Sequence, residues 1–118
     1  MAEEHQNFEV YAGSDLSLDF SLSWEDGNPY DITDSVITWV AATKAGREPF
    51  LTKAIGTGIV PIHAEGEADD PAVFQLVLVP DDTVGLLGLY YHEARVDDMP
   101  VASGTMYVLP SSSRAFGS

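Results

Sequence analysis

The sequence predicts an all-β fold, an antiparallel β-sandwich of about seven or eight strands with one short helical turn. Apolar and polar residues alternate over residues 15–24, which is the period of a strand with one buried and one solvated face. Turn-forming residues recur at roughly ten-residue spacing, which is typical of sandwiches and barrels. The sequence shows no helical period of useful length, and its 118 residues fit one domain.

The first half of the chain contains the strongest strand signals. Residues 7–12 predict a short first strand, residues 15–24 a longer one, and residues 36–43 a third that is rich in β-branched side chains. Residues 25–29 separate the second from the third with a dense turn signal. The alternation predicts an inward-facing set and a solvent-facing set, namely Leu16, Leu18, Phe20, Leu22, Trp24 and Trp39 inward, and Ser17, Asp19, Ser21 and Ser23 outward.

Two short strands are predicted next, over residues 50–55 and 58–64. Pro61 cannot donate a backbone hydrogen bond to a neighbouring strand, so its strand should lie at a sheet edge or contain a bulge. Residues 7–12 form the other expected edge, because that strand is also short.

The second half continues the same pattern after an acidic loop at residues 65–71. Residues 72–79 are apolar on both faces apart from Gln75 and predict a central strand. Residues 80–87 predict a helical turn with Asp81 or Asp82 as its cap. The remaining predicted elements are strands at residues 89–96 and 101–109, joined by a turn at residues 97–100.

The chain is therefore divided into three parts. Residues 1–12 form an N-terminal segment with the first strand, residues 13–109 the sandwich, and residues 110–118 a flexible C-terminal tail rich in serine.

Charge limits the classes of partner. Five basic against 19 acidic residues give a net charge of −14. Phosphate binding needs clustered Lys and Arg, so neither nucleic acid nor an anionic membrane surface is an expected partner. The acids are spread along the chain, which favours a solubilising role over steering to a basic partner or binding divalent cations.

Catalytic, cofactor and metal sites are not predicted, and the chain is not expected to be an enzyme. It has no cysteine, its three histidines lie far apart, and its acidic pairs fall in turns, where aspartate is favoured by backbone hydrogen bonding. His92 alternates with apolar residues and is expected in the core; a site that joins His63 to the acidic residues after it is the weaker alternative. A calcium loop at residues 25–34 is disfavoured because its ligand order is wrong and a proline intervenes.

The candidate contact residues are tyrosines that are not in the inward-facing set of strand positions. Tyr11 and Tyr91 are in phase with polar neighbours, and Tyr30 follows the turn-forming proline. Tyrosine is enriched in interface cores, so Tyr11, Tyr30 and Tyr91 are predicted to contribute to an interface or to a sugar-binding surface.

Several segments together resemble a known family. They are residues 13–16 (GSDL), 26–34 (DGNPYDITD), 80–83 (PDDT), 86–93 (LLGLYYHE) and 104–108 (GTMYV). Their order is similar to that of the immunoglobulin-like β-sandwich domains of phage and prophage structural proteins, such as the N-terminal domain of the baseplate upper protein. The resemblance extends from about residue 13 to residue 109 and is carried by turn chemistry and core alternation.

The resemblance implies a function as well as an immunoglobulin-like fold. It implies a non-enzymatic structural or assembly module of a tail, baseplate or head-associated part, found in the virion and assembled in the cytoplasm of a bacterial host. Its partners would be other virion proteins or copies of itself, with weak association when isolated. The alternative is a non-viral domain that binds a protein or a carbohydrate.

Overall fold

The computed structural model describes residues 4–22, 31–66 and 72–110. Within these ranges the all-β prediction is confirmed. The elements are β1 (Glu4–His5), β2 (Phe8–Tyr11), β3 (Leu16–Leu22), β4 (Ile37–Ala42), β5 (Leu51–Ala54), β6 (Ile59–His63), β7 (Ala72–Leu78), α1 (Pro80–Thr83), β8 (Gly88–Val96) and β9 (Met99–Leu109).

The strands form two sheets. In the larger sheet β1 and β2 lie beside β9, followed by β8, β4 and β5; the smaller sheet has the order β3–β7–β6. Both β1 and β2 run parallel to β9, whereas the other neighbouring strands are antiparallel. The sequence predicts an antiparallel sandwich, and the two parallel pairings with β9 differ from it. Side-chain alternation has the same period in both kinds of pairing and does not distinguish them.

Two local features of this sandwich resemble features of immunoglobulin domains. Trp39 on β4 is fully buried, and Tyr90 near the start of β8 follows the helical turn α1. The Tyr90 hydroxyl lies 3.1 Å from both the amide nitrogen and the carbonyl oxygen of Leu87, the kind of corner contact found in such sandwiches. His92 stands two residues after this tyrosine, where antibody domains carry their second cysteine.

The core lies between the inner faces of the two sheets. Phe20 on β3 and Phe74 on β7 stack with ring centroids 5.0 Å apart, and both are buried. Leu22 and Trp39 are buried and Asp19 and Ser21 are exposed, as the alternation predicts. Leu18 was predicted to be buried and is only half-buried, because β3 is the last strand of its sheet.

The N-terminal strand is interrupted at Gln6 and Asn7, between β1 and β2. The Asn7 side chain replaces a ladder bond there, since its Oδ1 accepts a hydrogen bond from the Thr105 amide at 2.8 Å. Gly104 allows this approach: a Cβ at this position would lie 2.1 Å from the Gln6 carbonyl oxygen. The close passage of two backbones therefore requires glycine.

The predicted edge strands are confirmed. Among the described strands β2 pairs with β9 alone, and β6 is the last strand of the smaller sheet, with a register shift between Pro61 and His63. β7 is central in that sheet, as its apolar faces predict. The helical turn is shorter than the predicted residues 80–87, and neither aspartate is its N-cap residue: Asp82, at the third helical position, instead accepts a hydrogen bond from the Val79 amide at 2.8 Å.

Some predictions concern residues outside the described ranges. These are the inward position of Trp24, the exposure of Ser23, the turn at residues 25–29, the interface role of Tyr30, most of the acidic loop, and the tail from residue 111.

Candidate interaction surface

The outer face of the larger sheet carries several exposed apolar side chains. Tyr11 on β2 is 46% exposed, Leu89 on β8 is 68% exposed and Tyr107 on β9 is 40% exposed. Register places them together, since Leu89 pairs with Tyr107 and Tyr11 pairs with Leu109. We call the four residues Tyr11, Leu89, Tyr107 and Leu109 the outer patch.

Strand alternation produces this patch. Val10, Met106 and Val108 point into the core and are buried, so the residues between them point outward. Polar side chains would be expected at such solvent-facing positions. Leu87, just before β8, is 63% exposed and extends the apolar surface toward the corner that follows α1.

Two contacts connect the helical turn α1 to the rest of the domain. The Thr83 hydroxyl accepts a hydrogen bond from the Gly13 amide at 2.9 Å, which connects α1 to the turn after β2. Lys53 on β5 forms a 2.7 Å ion pair with Asp82 on α1, and both side chains are largely buried. The outer patch itself lies on β2, β8 and β9.

Two of the three predicted contact tyrosines lie on this sheet face. Tyr11 belongs to the outer patch, and Tyr91 lies two residues after Leu89 on β8. Tyr91 is half-buried, and its hydroxyl donates a hydrogen bond to Glu93 Oε1 at 2.9 Å. Tyr30 is outside the described residues, so the third member of the predicted set is not placed.

Leu89 and Tyr107 were missed by the sequence analysis. The signal for Tyr107 was available, because Met106 and Val108 have the core phase and Tyr107 alternates with them. The outward direction of Leu89 was harder to predict, because apolar residues occupy both alternating sets of positions around it.

A groove with a mixed apolar and charged lining adjoins Tyr91 on the same face. It has a volume of about 480 Å³ and is lined by residues of β4, β5, β8 and the β4–β5 loop, among them Thr38, Arg47, Glu93 and Arg95. The hydrogen bond from Arg95 to Glu93, together with the charge of that carboxylate, raises the pKa of the Arg95 guanidinium. The groove thus combines an aromatic ring with an ion pair between Glu93 and the half-exposed Arg95.

His92, the histidine predicted to lie in the core, is fully buried and hydrogen-bonded. Across residues 4–22, 31–66 and 72–110, no three His, Asp or Glu side chains are grouped closely enough to hold a metal ion. In the same part of the chain no helix has the length and apolarity needed to cross a bilayer.

Fold and surface together define a small all-β sandwich with an apolar, tyrosine-containing face on its larger sheet. No protein-family model matches the sequence, and no curated protein sequence matches it significantly.

Proposed function

We propose that this chain is a non-enzymatic assembly module of a phage or prophage particle, and that it associates through the outer patch. The observation that supports this proposal most directly is the exposure of Tyr11, Leu89 and Tyr107 on one regular sheet face. Leu89 lies opposite Tyr107, and Tyr11 lies diagonally from Tyr107, whose direct partner on β2 is the exposed Glu9. Apolar surface clustered in this way marks interaction sites on soluble domains.

The attribution to a phage particle rests on the resemblance of residues 13–109 to phage structural domains. The all-β architecture of two sheets is compatible with it. Assembly from repeated copies also fits the charge: at −14 per copy, like charges repel over about 10 Å at 0.1 M salt, so isolated copies should associate weakly.

Sedimentation equilibrium at low and high salt tests the role of the patch. The wild-type chain should self-associate more strongly as salt rises, because salt screens the repulsion while it leaves apolar contacts intact. Leu89→Ser should abolish this association. Val36→Ser is the matched control, since Val36 is also apolar, is 64% exposed, and lies outside the patch.

Two results would count against the patch. One is a wild-type chain that stays monomeric at every salt concentration, and the other is an equal effect of the Leu89 and Val36 substitutions. Membership of a particle is tested separately by mass spectrometry of particles released on prophage induction in the source organism. The chain should be present in stoichiometric amounts, and its absence from purified particles would refute the virion role.

The groove beside Tyr91 favours a second candidate, a carbohydrate-binding domain. Sugar recognition combines an aromatic ring with nearby polar groups that fix orientation, and Tyr91, Glu93 and Arg95 provide both. Under this alternative, Tyr91→Ala should abolish binding to a soluble polysaccharide in calorimetric titration, and Leu89→Ser should not change it. An absence of measurable binding across neutral and basic polysaccharides would exclude the alternative.

A further inference from the structure

We infer that the free edge of β3 binds an extended, basic segment of a partner protein by strand addition. Within residues 4–22, 31–66 and 72–110, β3 lies at the end of the smaller sheet and has β7 as its single neighbouring strand. In an edge strand every second residue directs its N–H and C=O groups away from the single neighbour, which leaves a template for another strand. This edge belongs to the other sheet from the outer patch, so the inference does not depend on the proposed function.

The β3 edge is less protected than the other edges of the described sheets. Proteins protect edge strands with proline, bulges, charged side chains or short length, and of these β3 has one charged side chain, that of Asp19. β6 contains Pro61 and a register shift, and β2 and β5 are only four residues long. β3 pairs with β7 over seven residues without a shift and contains no proline or basic residue.

Two apolar side chains on the inner face of β3 remain partly exposed to solvent along the same edge. Phe20 and Leu22 are buried, whereas Leu16 and Leu18 have the same inward phase and remain half-exposed although they pack against the core. An added strand with apolar residues in this phase would cover both leucines. The occupant should therefore alternate apolar and polar residues as β3 does.

Charge distinguishes a foreign strand from a second copy. Asp19 lies at the centre of β3, is exposed, and accepts a hydrogen bond from the Gln75 side chain at 3.1 Å. Two β3 strands paired antiparallel over their full length would place Asp19 directly opposite its own copy, and like charges in that position are destabilising. A lysine or arginine opposite Asp19 would instead be attracted, so the edge is suited to a basic segment.

A synthetic peptide provides the test. The probe is Val-Ser-Val-Lys-Val-Ser-Val, and its partner probe has glutamate in place of lysine. The full chain is titrated with each peptide while backbone amide exchange is followed by NMR. The lysine peptide should slow exchange at residues 16–22 and should bind about fivefold more tightly than the glutamate peptide, the size expected for one cross-strand charge pair.

Matched variants separate a local contact from general attraction to an acidic protein. Asp19→Lys should reverse the preference between the peptides, and Asp19→Asn, which can keep the bond to Gln75, should remove it. Glu48→Lys makes the same charge change at an exposed position in the β4–β5 loop and should preserve the preference. Protection at another edge, no protection at all, or equal effects of the Asp19 and Glu48 substitutions would overturn the inference.

Discussion

His92 connects three parts of the domain through one imidazole ring. The Trp39 indole N–H, which can only donate, lies 3.2 Å from His92 Nδ1, so Nδ1 is the acceptor. Nε2 then carries the proton and donates to the Gln6 carbonyl oxygen at 2.6 Å. The ring of Phe8 packs edge-on against the imidazole at 4.9 Å. A neutral histidine with a fixed tautomer thus links β8 to β4 and to the interruption in the N-terminal strand.

His92→Leu should destabilise the domain by about 1–3 kcal/mol, because the buried indole N–H of Trp39 loses its acceptor. In a Trp39→Phe background the same substitution should cost less, since that donor is already removed. Urea unfolding of the four proteins in this double-mutant cycle measures the coupling. Equal costs in both backgrounds would show that the hydrogen bond contributes nothing.

Asp31 gives a pH dependence of known sign. The Thr33 hydroxyl and amide both donate to Asp31 Oδ1, and these bonds lower the pKa of the carboxyl. Because the pKa of this carboxyl is lower in the folded than in the unfolded state, ionised Asp31 stabilises the fold. This contribution to the free energy of unfolding is complete above the pKa of the unfolded state, near 4, and is lost as pH falls through the pKa of the folded state.

Thr33→Val removes the larger of these two causes, so the pKa of Asp31 should rise toward its ordinary value. NMR titration of the side-chain carboxyl carbon measures this directly. The stability difference between wild type and variant should be present at neutral pH and should disappear in acid; a difference that persists at the lowest pH would mean that the valine acts through packing.

At the residue scale, the sequence predicted burial correctly where the two-residue period of a strand is sufficient to determine it. The burial of His92 follows from its phase on β8, but its partners do not, because Trp39 is 53 positions away in the chain and Gln6 is 86 positions away. The same limit applies to Gly104, whose role depends on the path of a strand that pairs with it from the other end of the sequence.

At the scale of the element, β3 is the clearest test of alternation. Phe20→Ala should cost about 3–5 kcal/mol, because it removes a buried ring stacked on Phe74 and leaves a cavity. Ser21→Ala on the exposed face of the same strand should change stability by less than about 0.5 kcal/mol. Chemical denaturation of both variants checks this, and a loss below about 1 kcal/mol for Phe20→Ala would mean that the face assignment is wrong.

The positions of most strands were predictable, and their ends were less so. Turn residues marked the described strand ends to within about two positions, and β9 begins at Met99, inside the predicted turn at residues 97–100. The tight connection is made by Asp97 and Asp98, which both adopt positive φ, so two residues suffice for the hairpin. β1 was missed, since two polar residues carry no periodic signal.

At the scale of the molecule, the sandwich was predictable, whereas the order of its strands was not. Composition and spacing restrict the chain to two packed sheets, but which strand joins which sheet depends on contacts between distant segments. The candidate surface shows the same limit. Tyr11 was singled out from its phase, yet the patch exists only because β2, β9 and β8 are neighbours in one sheet.

The parallel pairing of β2 with β9 has a mechanical consequence. Because the two strands run in the same direction, tension applied to the chain before β2 and after β9 pulls them along their length in opposite senses. The interstrand hydrogen bonds between Phe8–Tyr11 and Met106–Leu109 then bear the load together, in shear, instead of opening one after another. A domain linked in series with others through these two strands would resist extension until the whole set of bonds fails at once.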